Sequence, residues 1–315
     1  MLNAYCLSQG RVEPLDEYAD LERLATAQWI ELVAPSDEEL LMVQSVCPMG
    51  LPELEDIDEL EASAHYVTHE QAFQVNCLFF HQLGDEPQNT NISFVFDGER
   101  LVSVCSRELP HPRLLRIRNQ RGLAPLPDAL SVLLSLLEIK VDGLADEMEQ
   151  VYRDLEAISR MVLGRQSSDL EEAVDGLAEQ EDMIGKVRLC LMDGQRDIRF
   201  LVRQPALSKK CRKRGHDMLG DIETLLPHNA FLSEKADFLL NTAQGFINIE
   251  QNRIMKVFSI AAVVFLPPTL VAGIYGMNFH FMPELSWPWG YPMALGLLAA
   301  AGISPYLYFK LKGWL

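Results

Sequence analysis

The chain lacks the marks of several common chemistries. Its six cysteines, Cys6, Cys47, Cys77, Cys105, Cys190 and Cys211, are scattered singly with no CxxC pair. That excludes a thiolate zinc knuckle and a disulfide scaffold, and leaves reduced thiols as the expected state. No G-x-x-x-x-G-K-[ST] loop is present to cradle a nucleoside triphosphate. No nucleophile, base and orienting partner form a recognisable constellation, so an enzyme is not expected and no organic cofactor is implied. Basic residues are in the minority, 27 Lys and Arg against 45 Asp and Glu for a net charge of -18, which argues against a nucleic-acid surface. The opening "MLNAYCLSQGRVEPLDEY" has neither the basic stretch nor the apolar run of a secretory signal, so the first part of the chain is expected to stay in the cytosol.

Charge is missing most conspicuously from the last fifth. Between Val257 and Phe309 there is no Lys, Arg or Asp, and Glu284 is the one carboxylate. Two runs, 257–275 and 291–309, are each about 19 residues, enough at about 1.5 Å per residue to cross about 30 Å of hydrocarbon. Arg253 and Lys256 precede the first, Lys310 and Lys312 follow the second, and the joining loop has no basic residue. The positive-inside rule then places both ends in the cytosol and the loop outside. Trp287, Trp289, Tyr291, Tyr306, Tyr308 and Trp314 supply interfacial aromatics.

Upstream, the patterning is that of a soluble body. Between Trp29 and Arg107, β-rich runs such as "AFQVNCLFFHQL" and "NISFVF" alternate with acidic stretches, and Asp97-Gly98 is a hairpin signal. An α/β domain is expected over 1–127. From 128 to 206 the period changes to that of helices. Leu133, Leu137, Val141, Leu144, Met148, Val151, Leu155 and Ile158 form an apolar stripe flanked by carboxylates. "GRQSS" breaks the pattern, so two antiparallel helices are expected. From 207 to 256 a long helix should run into the first apolar segment, with Pro227 a kink or a break.

Smaller signals carry less. His65 and His69 are four apart with no third ligand nearby, "KKCRKR" at 209–214 suits acidic neighbours or anionic lipid, and "PELEDIDELE" at 52–61 suits a solvated helix start.

Two spans cannot enclose a water-filled path alone. In the first, Asn252, Met255, Ser259, Ala262, Leu266, Thr269 and Gly273 alternate steps of three and four, a seam that could meet its own copies. The spacing leaves open whether that seam lines a pore or is a packing interface. Pro267-Pro268 removes two backbone donors, which favours a buried or water-lined setting over lipid.

"YGMNF" at 275–279, "MPEL" at 282–285 and "WGYP" at 289–292, together with the Pro-Pro span and the basic "KLKGWL" end, resemble the CorA-type divalent-cation transporters, the GMN-motif metal ion transporter family, and its proteobacterial group in particular. The likeness is most specific from about Leu225 onward. It implies an α+β membrane protein of the bacterial inner membrane that assembles as a funnel-shaped homopentamer in lipid. It also implies a cytosolic α/β domain, a stalk helix continuous with a pore-lining span at 257–275, an outer loop at 276–290, a second span at 291–309 and a basic tail at 310–315. Mg²⁺ would be carried, with Co²⁺ and Ni²⁺ also passing, driven by membrane potential and gated by internal Mg²⁺. The resemblance puts Gly276, Met277 and Asn278 at the selective entry, with Glu284 attracting cations. It puts Asn252, Met255, Phe258, Ala262, Leu266, Thr269 and Asn278 along the pore, Phe258 taking the place that spacing gave Ser259, while Gly273 is expected along the pore from the spacing. Regulatory metal ligands would be Asp217 and Asp221, with Asp85 or Glu86 facing them. Zinc or nickel transport by a related family is an alternative, although zinc-carrying relatives usually vary the Met of the triplet and Met277 is intact. A non-conducting anchored scaffold or sensor is the other.

Overall fold

Alternating and continuously apolar runs in the first hundred residues build one mixed sheet. A computed structural model describes residues 1–15, 21–47, 49–52, 66–69, 72–84, 86–164, 167–278, 280 and 282–313; His65, Asp85, Trp314 and most of "PELEDIDELE" fall outside them. The strands are β1 (Leu2–Ser8), β2 (Arg11–Pro14), β3 (Trp29–Val33), β4 (Tyr66–His69), β5 (Ala72–Leu83), β6 (Glu86–Phe96) and β7 (Leu101–Cys105). Their order is β2-β1-β3-β7-β6-β5-β4. Only β3 and β7 pair in parallel, Trp29 opposite Leu101 through Val33 opposite Cys105, and every other described pairing is antiparallel. At the β6–β7 turn the Asp97 carboxylate accepts from the amides of Glu99 and Arg100 at 3.0 and 2.8 Å, and Gly98 takes φ 106°.

Both faces of the central strands are covered, which is why "WIELV" and "LVSVC" are nearly all buried. On one face Leu2, Ala4, Ile30, Leu32, Val95, Val102 and Val104 pack with α1 (Leu21–Leu24) and α2 (Asp37–Val46). A capping box at Ser36 and Glu39 starts α2 by satisfying free helix-end amides. On the other face, Trp29 donates to the Ser103 hydroxyl at 3.1 Å and stacks on Tyr5. The buried Glu31 carboxylate is met there by Arg116 of α3 (Pro110–Gln120) at 2.8 Å. Burial and Glu31 push the Tyr5 phenol up to about 12.

Three long helices follow: α4 (Ala129–Gly164), α5 (Ser167–Val202) and α6 (Lys209–Tyr275). The eight stripe residues of α4 named above are all buried. Lys140 meets Asp193 while Gly176 lies against Ile158, so α4 and α5 are antiparallel. Ser131 pairs with Cys211 and Tyr152 with Lys235, so α6 runs parallel to α4. Asn229 donates to the Ile184 carbonyl at 3.1 Å and is fully buried, fixing α6 against α5. Met218, Ile222, Asn229, Leu232, Ala236 and Leu239, at steps of three, four and seven, form the buried stripe of α6. The helix continues through Pro227 without a break.

By contact density the chain forms two compact units, one of Met1–Gly164 and Glu172–Leu240, the other chiefly Asn241–Leu315. α6 contributes to both. Beyond it come a 3₁₀ turn at Pro283–Ser286 and α7 (Gly290–Leu311).

The α5–α6 seam tolerates no added bulk at one glycine. A Cβ on Gly215 would lie 2.6 Å from Val202 Cγ2, whereas one on Gly220 would meet nothing within 4 Å. Gly215→Ala is therefore expected to cost about 1–3 kcal/mol by overpacking, and Gly220→Ala to be neutral or stabilising by up to about 1 kcal/mol. Thermal unfolding of the two purified variants checks this, and equal midpoints would contradict it.

Candidate ion path

α6 is a single helix of 67 residues whose composition changes along its length. Its first part is amphipathic and packed, and from Val257 it is apolar on every side. Met255, Phe258 and Leu266 are 65%, 71% and 67% exposed, and so are Val257, Phe265 and Leu270 at 61–69%. Asn252, Ala262, Thr269 and Gly273 are exposed as well. In one chain the seam and its flanks are equally bare, so exposure alone does not separate a pore face from a lipid face. Both α6 and α7 contain stretches long and apolar enough to cross a membrane.

The helix passes through Pro267-Pro268 unbroken. At the next residue, the Thr269 hydroxyl donates to the Phe265 carbonyl at 2.7 Å, an added bond beside the prolines, and its oxygen keeps acceptor capacity. Gly302 of α7 comes close here, since a Cβ on it would lie 3.4 Å from Pro268 Cγ. The small residues Ala299, Ala300, Ala301 and Gly302 suit such a close approach.

At the end of α6 the backbone tightens. The Gly276 amide donates to Ala272 at 2.9 Å, and that of Met277 to Ile274 at 3.3 Å. A Cβ on Gly276 would stand 3.1 Å from the Ala272 carbonyl oxygen. Met277 and Asn278 then emerge exposed from the carbonyl end of the helix, where the aligned peptide dipoles leave partial negative charge. An exposed carboxamide beside that end offers neutral oxygen to a cation.

The loop is held by its own backbone. In the Pro283–Ser286 turn the Ser286 hydroxyl donates to the Pro283 carbonyl at 2.8 Å, and Gly290 donates to Trp287 at 3.0 Å. Gly290 is buried against the Glu284 carbonyl, with no room there for a Cβ. The Glu284 carbonyl thus fixes the start of α7, while the residue itself is exposed.

Asp217 and Asp221 lie one turn apart on the exposed side of α6, and Glu86 is exposed at the start of β6. Among the described residues no three His, Cys, Asp or Glu side chains gather closely enough to hold a metal ion, so within one chain these carboxylates form no complete site. The basic patch at 209–214 is partly absorbed: Arg214 reaches Glu138 and Ser135, and Arg212 donates to the Gln204 carbonyl at 3.2 Å. Sequence reasoning missed a buried group, Lys140 with Asp193 and Asp197. Its one signal was a lysine three residues after Leu137 and four before Leu144, on the apolar stripe.

The family model described as CorA-like Mg²⁺ transporter protein matches residues 25–312. The chain is 45% identical over 317 residues to the magnesium transport protein CorA of Yersinia pseudotuberculosis, covering 100% of both chains. It is likewise 45% identical to that of Escherichia coli K12, again with 100% of both covered. Among solved structures, the complete CorA magnesium transporter of Methanocaldococcus jannaschii matches with a TM-score of 0.74 at 19% identity, covering 100% of this chain and 99% of that one. That likeness shows the fold.

Gly290→Ala should displace the Pro283–Ser286 turn, raising the rate of protease cleavage within 276–290 of the purified full chain. Ser286→Ala, which removes one hydroxyl bond worth about 1 kcal/mol, should raise it far less. Equal rates for the parent and Gly290→Ala would contradict the packing described.

Proposed function

Because the chain belongs to the CorA family of Mg²⁺ transporters, we propose that it is a channel-type importer of divalent cations, chiefly Mg²⁺ with Co²⁺ and Ni²⁺ also carried. The observation that carries this reading is the single helix α6, which ends in an exposed Gly276-Met277-Asn278. Five copies of α6 enclose the path in a homopentamer, with α7 outside, since two spans from one chain cannot surround water. Arg253, Lys256, Lys310 and Lys312 hold both chain ends on the cytosolic side of the bacterial inner membrane.

Mg²⁺ gives up its hydration shell reluctantly. A ring of Asn278 carboxamides at the carbonyl ends of five helices receives the hydrated ion through neutral oxygen, and Glu284 raises the local cation concentration. Gly276 is needed because a side chain there crowds the last helical turn. Further in, Gly273, Thr269 and Ala262 offer small or hydroxyl surfaces, Leu266, Phe258 and Met255 form apolar constrictions that gate by dewetting, and Asn252 lies at the inner end. Inward movement is driven by about 2.3 kcal/mol per charge per 100 mV.

Shut-off by internal Mg²⁺ uses carboxylates that one chain leaves incomplete. Asp217 and Asp221 of one copy meet an acidic loop of the next, with Glu86 or Asp85 as the facing group, and Mg²⁺ bridges them when the cell is replete.

Mg²⁺ flux into liposomes under an inward-negative potential tests the reading. The parent should conduct, and Asn278→Ala or Gly276→Ala should lower flux by tenfold or more, the equivalent of about 1.4 kcal/mol lost at entry, while still assembling. Asp217→Asn with Asp221→Asn should keep conducting at internal Mg²⁺ levels that close the parent. Absence of flux from correctly inserted parent oligomers would leave a non-conducting scaffold. Flux of Zn²⁺ or Ni²⁺ but not Mg²⁺ would point to the related family.

A further inference from the structure

Helix α4 buries a lysine. Lys140 is 1% exposed among Leu136, Leu137, Val141 and Leu144, a setting that an ammonium group holds only when its charge is met. Its Nζ is 3.2 Å from Asp193 Oδ2 and 4.0 Å from Asp197 Oδ2. These carboxylates sit one turn apart on α5, 8% and 0% exposed. Two buried anions therefore face one buried cation.

Their surroundings are unequal. Asp193 receives the Leu78 amide of β5 at 2.7 Å, the Lys140 ammonium, and the rim guanidinium of Arg196 at 3.2 Å. Asp197 Oδ1 receives the Tyr66 hydroxyl of β4 at 3.0 Å, while Oδ2 is buried with no donor partner. The cluster thus ties the β4–β5 edge of the sheet to α4 and α5, with Phe200 stacked on Tyr66 next to it.

We propose that Asp193 and Asp197 hold a single proton between them, carried by Asp197, and that its release is a pH-sensitive switch that loosens α5 from the sheet. With the proton in place Lys140 and Asp193 cancel and the core of the cluster is neutral. Without it, a second buried negative charge at Asp197 faces, among the described cations, only Lys140 at 4.0 Å, since Arg196 at the rim meets Asp193 instead, and breaking the balance of a buried ionic group is strongly destabilising.

The neighbouring titratable groups leave the window to this one proton. Burial, together with the negative charge of Asp193, pushes the Asp197 carboxyl up to about 8. Burial would raise Asp193 too, but Lys140 and the Leu78 amide hold it below the usual carboxylate range. Burial works against the Lys140 ammonium, and the two carboxylates overcome it and hold its pKa above the ordinary value. From β4 and β5, burial raises the Tyr66 phenol and the Cys77 thiol; on α5 it pushes Cys190 up to about 12, so all three keep their protons. His111 of α3 is pulled down to about 4 by burial and Lys140, and His81 of β5 is lowered by burial, so both stay neutral. Burial raises Glu147 of α4 above its ordinary value.

The signs follow. Asp197 has its folded pKa raised, so its contribution to stability is fully present below the ordinary carboxylate value and is lost as pH rises toward about 8. Asp193, with its pKa lowered, loses its contribution on acidification below the ordinary range. A cavity of about 290 Å³ is lined in part by His81, His111, Lys140 and Glu147, next to the cluster. The joint lies wholly within the first unit and does not depend on the ion path.

Difference infrared spectroscopy of the detergent-solubilised full chain, titrated through the neutral to alkaline range, tests the proposal. A protonated-carboxyl band should disappear with a midpoint near 8 in the parent and be missing from Asp197→Asn, an isostere of the protonated acid. Amide hydrogen exchange, corrected for its intrinsic pH dependence, should show α5 around Asp193 to Phe200 losing protection as pH rises toward that value and levelling off above it in the parent, and not in the variant. The proposal is overturned if the parent has no such band, if its protection is independent of pH, or if the variant loses protection in the same way. Should the variant not fold, the parent band decides.

Discussion

Every backbone amide and carbonyl that enters hydrocarbon must be paired within the protein, because lipid offers no partner. α6 meets this demand by being one helix from Lys209 to Tyr275. Side chains then divide the work: an apolar stripe packs its first part against α4 and α5, and from Val257 apolar residues surround it. Pro267-Pro268 is the local exception, since two amides are missing there. The Thr269 hydroxyl bonding back to Phe265, and the close approach of Gly302 to Pro268, show how the neighbourhood is filled with protein. The same economy governs the loop, where the Glu284 carbonyl leaves space only for a glycine at 290.

The first unit solves a different electrostatic problem. The chain carries a net charge of -18, and most of its carboxylates sit on helix faces where water screens them. Those drawn inside are each matched: Glu31 by Arg116, Asp97 by Arg100, Asp193 by Lys140. Asp197 is matched less well, and it is the one that holds a proton in the proposed joint. Among the described residues Asp217 and Asp221 join no metal-binding cluster.

Much of this was legible in the sequence wherever one residue type at a fixed period has one physical meaning. The stripe from Leu133 to Ile158 had to be buried, and Asp97-Gly98 had to turn. The charge-free runs had little choice but lipid. Three and four spacing from Asn252 to Gly273 was less informative, since a pore seam and a packing interface obey the same geometry and a single chain exposes both. The parallel pairing of β3 with β7 was hidden because the partners are separated by β4, β5 and β6. Pro227 was ambiguous because a proline breaks a helix only where its packing allows. Lys140 with Asp193 and Asp197 was illegible because its members lie on different helices and charged residues are normally read as surface.

The central claim is that one face of α6 lines the proposed ion path. Single cysteines placed in turn from Ala262 to Gly273, in a Cys6→Ser background that keeps the five buried native thiols, test it through block of Mg²⁺ flux by a water-soluble thiol reagent. Block is expected at 262, 266, 269 and 273 and not at 265 or 270. Block with no helical period, or confined to 265 and 270, would contradict the account.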